Sequence, residues 1–338
     1  MKKIFITGGA GYVGSVLIPQ LLNDGYHIKC LDRFFFGDKF FKNLQNDRLE
    51  LLKDDIRWFD PSILDDVDVV LDLAALSNDP IGELNPEKTF EINHLGRARV
   101  ALESKNKGVK QYILASSASI YGKQEKIANE TFSVFPLTSY SKANRNAEID
   151  SMKLNDDSFS VTALRFSSIF GVSPRMRFDI SVNSMVLDLF QNGKITVRGK
   201  NNTRPFIHIK DAVNAYKSIL NAKINDISGQ IFNVGDNNQN YSMGELAYEI
   251  KNALNPKCEV ELGDNNDHRS YSLSFDKIHN ITGFKVNFSL IDGVKELFDS
   301  LQNNTVDTSL KTITLDWYKH IENDIELKKE LMINDRIL

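Results

Sequence analysis

Glycines 8, 11 and 14 stand in the stretch Thr7-Gly8-Gly9-Ala10-Gly11-Tyr12-Val13-Gly14, after a short apolar run and before a helical pattern. That spacing suits a phosphate. It gives a tight turn, close approach of backbone to a pyrophosphate, and tight helix–strand packing. With Tyr12 and Val13 at the helix start, free backbone N–H groups and the positive dipole end face the anion. Asp32, ending the second apolar run, completes the device. A carboxylate there accepts hydrogen bonds from an adenosine ribose and repels a 2′-phosphate, so NAD is expected over NADP. Arg33 beside it is the residue that would keep NADP possible. Asp55 and Ile56, after the third run, are candidates for the adenine edge.

The elements that must hold these residues are legible from periodicity. Residues 4–7, 27–31, 49–52, 67–73, 112–115 and 161–164 are short apolar runs of the kind buried in parallel sheets. Segments 13–23, 86–106 and 140–154 have helical length. The alternation implies right-handed βαβ units and an α/β fold, a Rossmann-type doubly wound parallel sheet. Pro19 is expected to kink the first helix or remove a hydrogen bond from it.

After Gly171 the rhythm loosens. A helix is expected over 211–222, a strand over 231–234, a loop over 235–238, helices from 243 onward, and a charged helix or helix pair over 310–338. The plan is a dinucleotide-binding domain of residues 1–165 plus about 205–235. A smaller discontinuous C-terminal lobe takes about 166–204 plus 236–305, and 306–338 form a helical tail.

The chain has 338 residues, with 41 basic against 45 acidic side chains and a net charge of −4. That balance gives no general attraction to nucleic acid or anionic membrane. No apolar run approaches the ~20 residues of a membrane span, and the apolar stretch after Met1 is too short for a signal-peptide core. Cys30 and Cys258 make no disulfide framework, so a cytoplasmic, reducing setting is expected. No metal site is expected: His27, His94, His268, His279 and His320 lack metal-ligand spacing, and His208 reads as a buried, hydrogen-bonded histidine.

Further motifs keep a fixed order: Leu73-Ala74-Ala75, Asn93 in Glu-Ile-Asn, Ser116-Ser117-Ala118-Ser119-Ile120-Tyr121-Gly122, Leu164-Arg165-Phe166, Phe170-Gly171 and Arg204-Pro205-Phe206-Ile207-His208. In this order the chain resembles the extended short-chain dehydrogenases/reductases, within them the nucleotide-sugar epimerase/dehydratase branch. Ser173-Pro174-Arg175-Met176-Arg177-Phe178-Asp179, Phe232 to Asn237 and Ser274 to Ile278 are similar to a sugar-modifying subgroup of surface-polysaccharide pathways. The likeness covers about residues 1–300.

The resemblance implies a nucleotide-sugar substrate bound in the smaller lobe, and a homodimer joined through segments 86–106 and 140–155. It places Leu73, Ala74, Ala75, Asn93 and Ser116 against the cofactor. Ser117 takes the catalytic hydroxyl position and Tyr140 that of the general base, which removes a proton from a sugar hydroxyl as hydride leaves. Asn183, Arg204 and Arg269 take positions that hold the sugar nucleotide's diphosphate. Arg175 and Arg177 either fold onto Asp179 or contact ligand.

One position departs from the pattern. The family's lysine four residues after the tyrosine is Asn144 here. At an effective dielectric of ~20 and ~5 Å, the lost charge is worth about 3 kcal/mol, roughly two pKa units on the phenol. Asn144 keeps a hydrogen bond for the cofactor ribose. Lys142, two residues from Tyr140, projects to another side of the helix. The remaining explanations are activation by the cofactor's positive ring, a cation from elsewhere in the fold, or a slow or inactive protein.

The Asp-Glu pair that dehydratases carry after the catalytic hydroxyl is Ala118-Ser119 here, which disfavours dehydration. The reading is therefore an NAD-dependent oxidoreductase acting at a sugar carbon, carbon 4 first, as an epimerase. The alternatives are a one-way dehydrogenase or keto-sugar reductase, or a catalytically impaired binding protein.

Overall fold

The computed structural model describes residues 2–44, 46–264 and 269–337. Along the chain, β1 (Lys3–Thr7), α1 (Gly14–Asn23), β2 (His27–Asp32), α2 (Lys39–Lys42), β3 (Leu49–Lys53) and β4 (Val69–Asp72) lead into α3 (Asp79–Gly82), α4 (Pro86–Phe90) and α5 (Arg97–Asn106). Then follow β5 (Gln111–Ser117), α6 (Ser139–Met152), β6 (Ser160–Phe166), β7 (Ser168–Phe170), α7 (Ser181–Asn192), β8 (Lys194–Arg198), β9 (Thr203–His208), α8 (Ile209–Asn221), α9 (Ile224–Ile227) and β10 (Gln230–Val234).

Seven of these strands form one parallel sheet in the order β10-β6-β5-β4-β1-β2-β3. Strand alternation sends β1's Ile4 and Ile6 to one face and Phe5 to the other. Ile4 and Ile6 pack with Leu17, Ile18 and Leu21 of α1. Phe5 packs with Val70, Val100, Tyr112 and Ala147, under α5 and α6. Both faces are covered, which is why these strands read as continuous apolar runs.

Pro19 lies inside an otherwise continuous α1. The expected helix over 86–106 is instead divided. A π-helical turn, Glu91–Gly96, separates α4 from α5. Inside it the buried Asn93 carboxamide accepts from Leu76 N at 2.8 Å and donates to Leu76 O at 2.9 Å. This exchange ties the widened turn to the chain leaving β4, an arrangement common at functional sites.

The remaining elements are β11 (Asn240–Ser242), α10 (Met243–Leu254), β12 (Glu259–Gly263), α11 (Asp276–Thr282), α12 (Leu290–Gln302), α13 (Thr314–Asn323) and α14 (Ile325–Leu331). Two small sheets, β11-β9-β7 and β12-β8, stand apart from the seven strands beside a second packed unit, and β9 thereby takes residues 205–208, expected with the large sheet, away from it. The core of this second unit joins Val182, Met185, Val186 and Leu189 of α7 to Leu246, Ile250, Val294 and Leu297 of α10 and α12. Periodicity indicates that helices dominate after residue 243. It missed β12, whose five residues are mostly exposed and so carry no apolar alternation. No helix among the described residues is long and apolar enough to cross a membrane.

Candidate active site

A cavity of about 550 Å3 opens beyond the carboxyl ends of the sheet strands, where open α/β sheets bind ligands. Gly8, Gly11, Tyr12, Val13 and Gly14 line it. Gly8 has φ +67°, and a Cβ there would lie 2.6 Å from the Ala74 Cα. At Gly14 a Cβ would fall 2.3 Å from the Gly9 carbonyl oxygen. Only glycine lets the turn approach the β4 exit this closely. Thr7 Oγ1 fixes that exit by accepting from Leu73 N (3.2 Å) and Ala74 N (3.1 Å) while donating to Asp72. Leu73, Ala74 and Ala75 line the cavity. The cradle fits a dinucleotide pyrophosphate, held by backbone N–H groups.

Asp32 lies at the end of β2 in the same cavity. Its carboxylate accepts from Ala10 N (2.9 Å) and Phe34 N (2.7 Å). Burial raises its pKa against those two bonds. Arg33 also lines the cavity, but its Nη atoms are engaged: Nη1 donates to Asp55 (2.7 Å) and Nη2 to the carbonyls of Leu331 and Arg336.

Asp55 lines the cavity as well. Four N–H groups converge on its carboxylate, three from Arg57 and one from Arg33. Burial would raise the Asp55 pKa; the Arg57 and Arg33 bonds outweigh it and hold the carboxyl below its ordinary value. Ile56 remains in the lining.

The C-terminal segment closes this end. Trp317 Nε1 donates to Phe35 O at 2.7 Å, and Lys53 Nζ to Glu330 O at 3.0 Å. Trp317, Tyr318 and Leu331 pack on Phe35, Leu76 and Ile81. Thr314 and Tyr318 reach the cavity wall.

At the other end, Ser117, Tyr140 and Asn144 come together in the lining. Thr138 caps α6 through a capping box with Ser141 and also donates to Asp79. Gly82 lets α3 press against the tyrosine, since a Cβ there would lie 2.9 Å from the Tyr140 Cβ. Burial raises the Tyr140 phenol above its ordinary value. A hydrogen bond with Ser117 opposes this, Asp79 adds to it, and Arg97 and Arg177 oppose it.

Ser116 lines the cavity, yet its hydroxyl donates to Glu148 at 2.6 Å. Buried Glu148 also receives the Arg165 fork, with both bonds at 2.9 Å. Lys142 is exposed, as its helical position implied. Asn144 is buried; its Oδ1 accepts from Arg97 Nη1 at 2.9 Å and its Nδ2 donates to Tyr140 O at 2.9 Å. Asn93 is fully buried and stays out of the lining, because its carboxamide is occupied by Leu76. That corrects its assignment to the cofactor.

Arg204 and Arg269 both line the cavity. Arg204 stacks over Tyr271 at 4.9 Å and donates to the carbonyls of Thr203 and Arg269; Arg269 pairs with Asp79. Asn183 does not join them. It is fully buried, accepting from Gly171 N and donating to Arg177 O and the Tyr12 hydroxyl. Its carboxamide staples the second lobe to the glycine loop instead of meeting a diphosphate, a second correction.

Arg177 forks onto Asp179 with two 2.9 Å bonds. Arg175 lies 3.6 Å over the Phe36 ring and donates from Nη2 to Thr314. Among the described residues its buried Nε and Nη1 have no hydrogen-bond partner. Burial and neighbouring Arg177 push its pKa down to about 10. A buried guanidinium with two unmatched donors beside the glycine loop suits an anion.

His208 is fully buried, with Nε2 3.1 Å from a Glu296 carboxylate oxygen, and His268 lies outside the described residues. No group of three or more metal-ligating side chains occurs among the described residues. Sequence reasoning missed Arg97 and the tail's part in the site. Arg97 left a signal: with Val100, Ala101 and Ser104 it marks one buried face of α5 at helical spacing.

Residues 4–235 match the NAD dependent epimerase/dehydratase family, and the chain belongs to that family. A UDP-glucuronic acid decarboxylase 1 of Danio rerio is 29% identical over 77% of this chain, which spans 62% of that relative's length. A putative UDP-glucose 4-epimerase of Methanocaldococcus jannaschii is 27% identical, covering 89% of this chain and 99% of its own. Among solved structures, a UDP-glucuronic acid 4-epimerase from Bacillus cereus with UDP-glucuronic acid and NAD superposes with a TM-score of 0.79 at 23% identity. The likeness covers 89% of this chain and 99% of that one. A UDP-N-acetylglucosamine 4-epimerase from Methanobrevibacter ruminantium gives 0.81 at 20% identity, over 90% and 99%.

Proposed function

We propose that this protein is an NAD-dependent nucleotide-sugar 4-epimerase. When bound, NAD supplies a reversible hydride acceptor. The chain's own residues hold and steer the rest. Tyr140, as phenolate, takes the proton from the carbon 4 hydroxyl. Ser117 bonds the same oxygen and orients it. Once the keto sugar has turned over, Tyr140 would return the proton to the carbon 4 oxygen, leaving the hydroxyl in the inverted configuration.

The observation that carries the redox-neutral reading is the tail. Arg33, Lys53 and the Phe35 carbonyl bind 306–338 across the adenosine end. A cofactor that left after every turnover would require this closure to open each time. An epimerase restores its cofactor in place. Ala118 and Ser119 offer no acid–base pair for dehydration. Asp32 and the engaged Arg33 favour NAD over NADP. Arg175 and the glycine cradle hold its pyrophosphate, while Arg204 and Arg269 serve the substrate diphosphate.

Leu102 and Ile149 stand exposed on α5 and α6, beside Leu95 on the π-helical turn, which fits a homodimer through these helices. Sedimentation of the intact protein should give twice the chain mass, and Leu102→Glu should give monomer.

A second reading has support from the decarboxylase relatives, since carbon 4 oxidation of a uronic acid sets up loss of its carboxylate. Incubation with UDP-glucose, UDP-N-acetylglucosamine and UDP-glucuronic acid, read by proton NMR, separates the two. The carbon 4 epimer of at least one sugar is expected. A pentose with carbon dioxide from UDP-glucuronic acid, and no epimer, overturns the epimerase reading in favour of decarboxylation.

A further inference from the structure

Asn144 stands where the family resemblance places a lysine, and a cation does reach that place from another helix. Arg97, the first residue of α5, is 1% exposed. Its Nη2 donates to the carbonyls of Asp72 (3.0 Å) and Ala115 (2.5 Å), pinning the ends of β4 and β5 beside the cavity. Its Nη1 donates to Asn144 Oδ1 at 2.9 Å. Arginine only donates, so this bond fixes the carboxamide: oxygen toward Arg97, nitrogen toward the Tyr140 carbonyl and the cavity that Asn144 lines.

We propose that Arg97 and Asn144 together replace the single lysine. Arg97 supplies the permanent positive charge behind Tyr140, and Asn144 presents the hydrogen-bonding surface at the cavity. Arg97 acts through Asn144 and the local field and is a positioning residue. The inference rests on the reading of Tyr140 as the base.

Charge arrangement supports it. Toward Tyr140 face Asp79 of α3, Arg177 after β7, Tyr271 and Arg97, with Asp179 and Arg269 in the same cavity lining. Arg177 is matched by Asp179 and Arg269 by Asp79. Arg97 has a counter-ion too, Asp72, but the carboxylate lies 3.5 Å from Nε, while Nη1 extends to Asn144. Asp72 is further engaged by the Thr7 and Tyr112 hydroxyls, which draws its charge away from the cavity. Arg97 lowers the Tyr140 pKa against burial. A guanidinium is suited to this buried post because it stays charged where an ammonium would tend to deprotonate.

The test is the Tyr140 titration, read by NMR of ring-carbon-labelled tyrosine with and without NAD and assigned by Tyr140→Phe. Arg97→Gln should raise the midpoint by at least one pH unit. Arg97→Lys, and the relocation Arg97→Gln with Asn144→Lys, should stay within half a unit of the unsubstituted protein. An unmoved midpoint in folded Arg97→Gln overturns the proposal. Should that variant not fold, the two charge-retaining variants decide. A midpoint held in both supports the assignment, and a rise of a unit or more in either overturns it. Turnover lowered less than about 10²-fold by Tyr140→Phe would instead sink the base assignment, a separate failure.

Discussion

The two ends of the cavity are built in opposite ways. At the cofactor end, residues 7–14 suffice for the turn. One strand, three glycines and the start of one helix place the backbone, and Thr7 of the same stretch bonds the β4 exit beside it. At the tyrosine end no local stretch suffices. Tyr140 and Asn144 come from α6, Ser117 from β5, Asp79 and Gly82 from α3, Arg97 from α5 and Arg177 from the loop after β7. A backbone device tolerates almost no substitution but is written contiguously. A side-chain device can be redistributed, and here a charge moved from one helix to its neighbour.

The largest expected effect tests the distributed end directly. Tyr140→Phe removes the proton acceptor and should lower turnover by about 10²- to 10⁴-fold with the fold unchanged, measured as initial rates beside circular dichroism. A smaller loss would move the base elsewhere.

Glu148→Gln strips a buried partner from Arg165 beneath the same helix and should cost about 3–5 kcal/mol in denaturant unfolding. Burial alone would raise the Glu148 carboxyl, but bonds from Arg165 and Ser116 leave it lowered. This stabilisation is therefore complete above the unfolded value of about 4.3. It is lost as pH falls through the lower folded value. An acid transition unchanged in Glu148→Gln would contradict that.

Removal of residues 310–338 sharpens the comparison from the cofactor end. The glycine loop should still bind NAD, but dissociation should quicken by about tenfold or more, as expected from loss of ~1.4 kcal/mol of contacts. Stopped-flow release of NADH measures it; an unchanged rate would remove the argument for a captive cofactor. Smallest is Asp32→Asn, which should narrow the preference for NAD over NADP by about tenfold in calorimetric titration while leaving NAD binding measurable.

The same contrast explains what was legible in the sequence. The parallel sheet, the glycine loop, Asp32 and the grouping of Ser117 with Tyr140 followed from short-range pattern and motif order. Two assignments failed because the deciding partners come from other segments. The Asn93 carboxamide is taken by the Leu76 backbone, and that of Asn183 by Tyr12, Gly171 and Arg177. Each carries the right polar group, but nothing local reveals that another segment already uses it. The tail was read as helical, while its packing on Phe35 and Arg33 depends on contacts spanning nearly the whole chain.

The most direct measurement uses substrate bearing deuterium at carbon 4. The account predicts that the epimerised product keeps the deuterium at carbon 4, that bound NADH shows only as a transient near 340 nm, and that Tyr140→Phe slows both signals by at least about 10²-fold. Deuterium released on free NADH, with a keto sugar accumulating in equal amount, would contradict it.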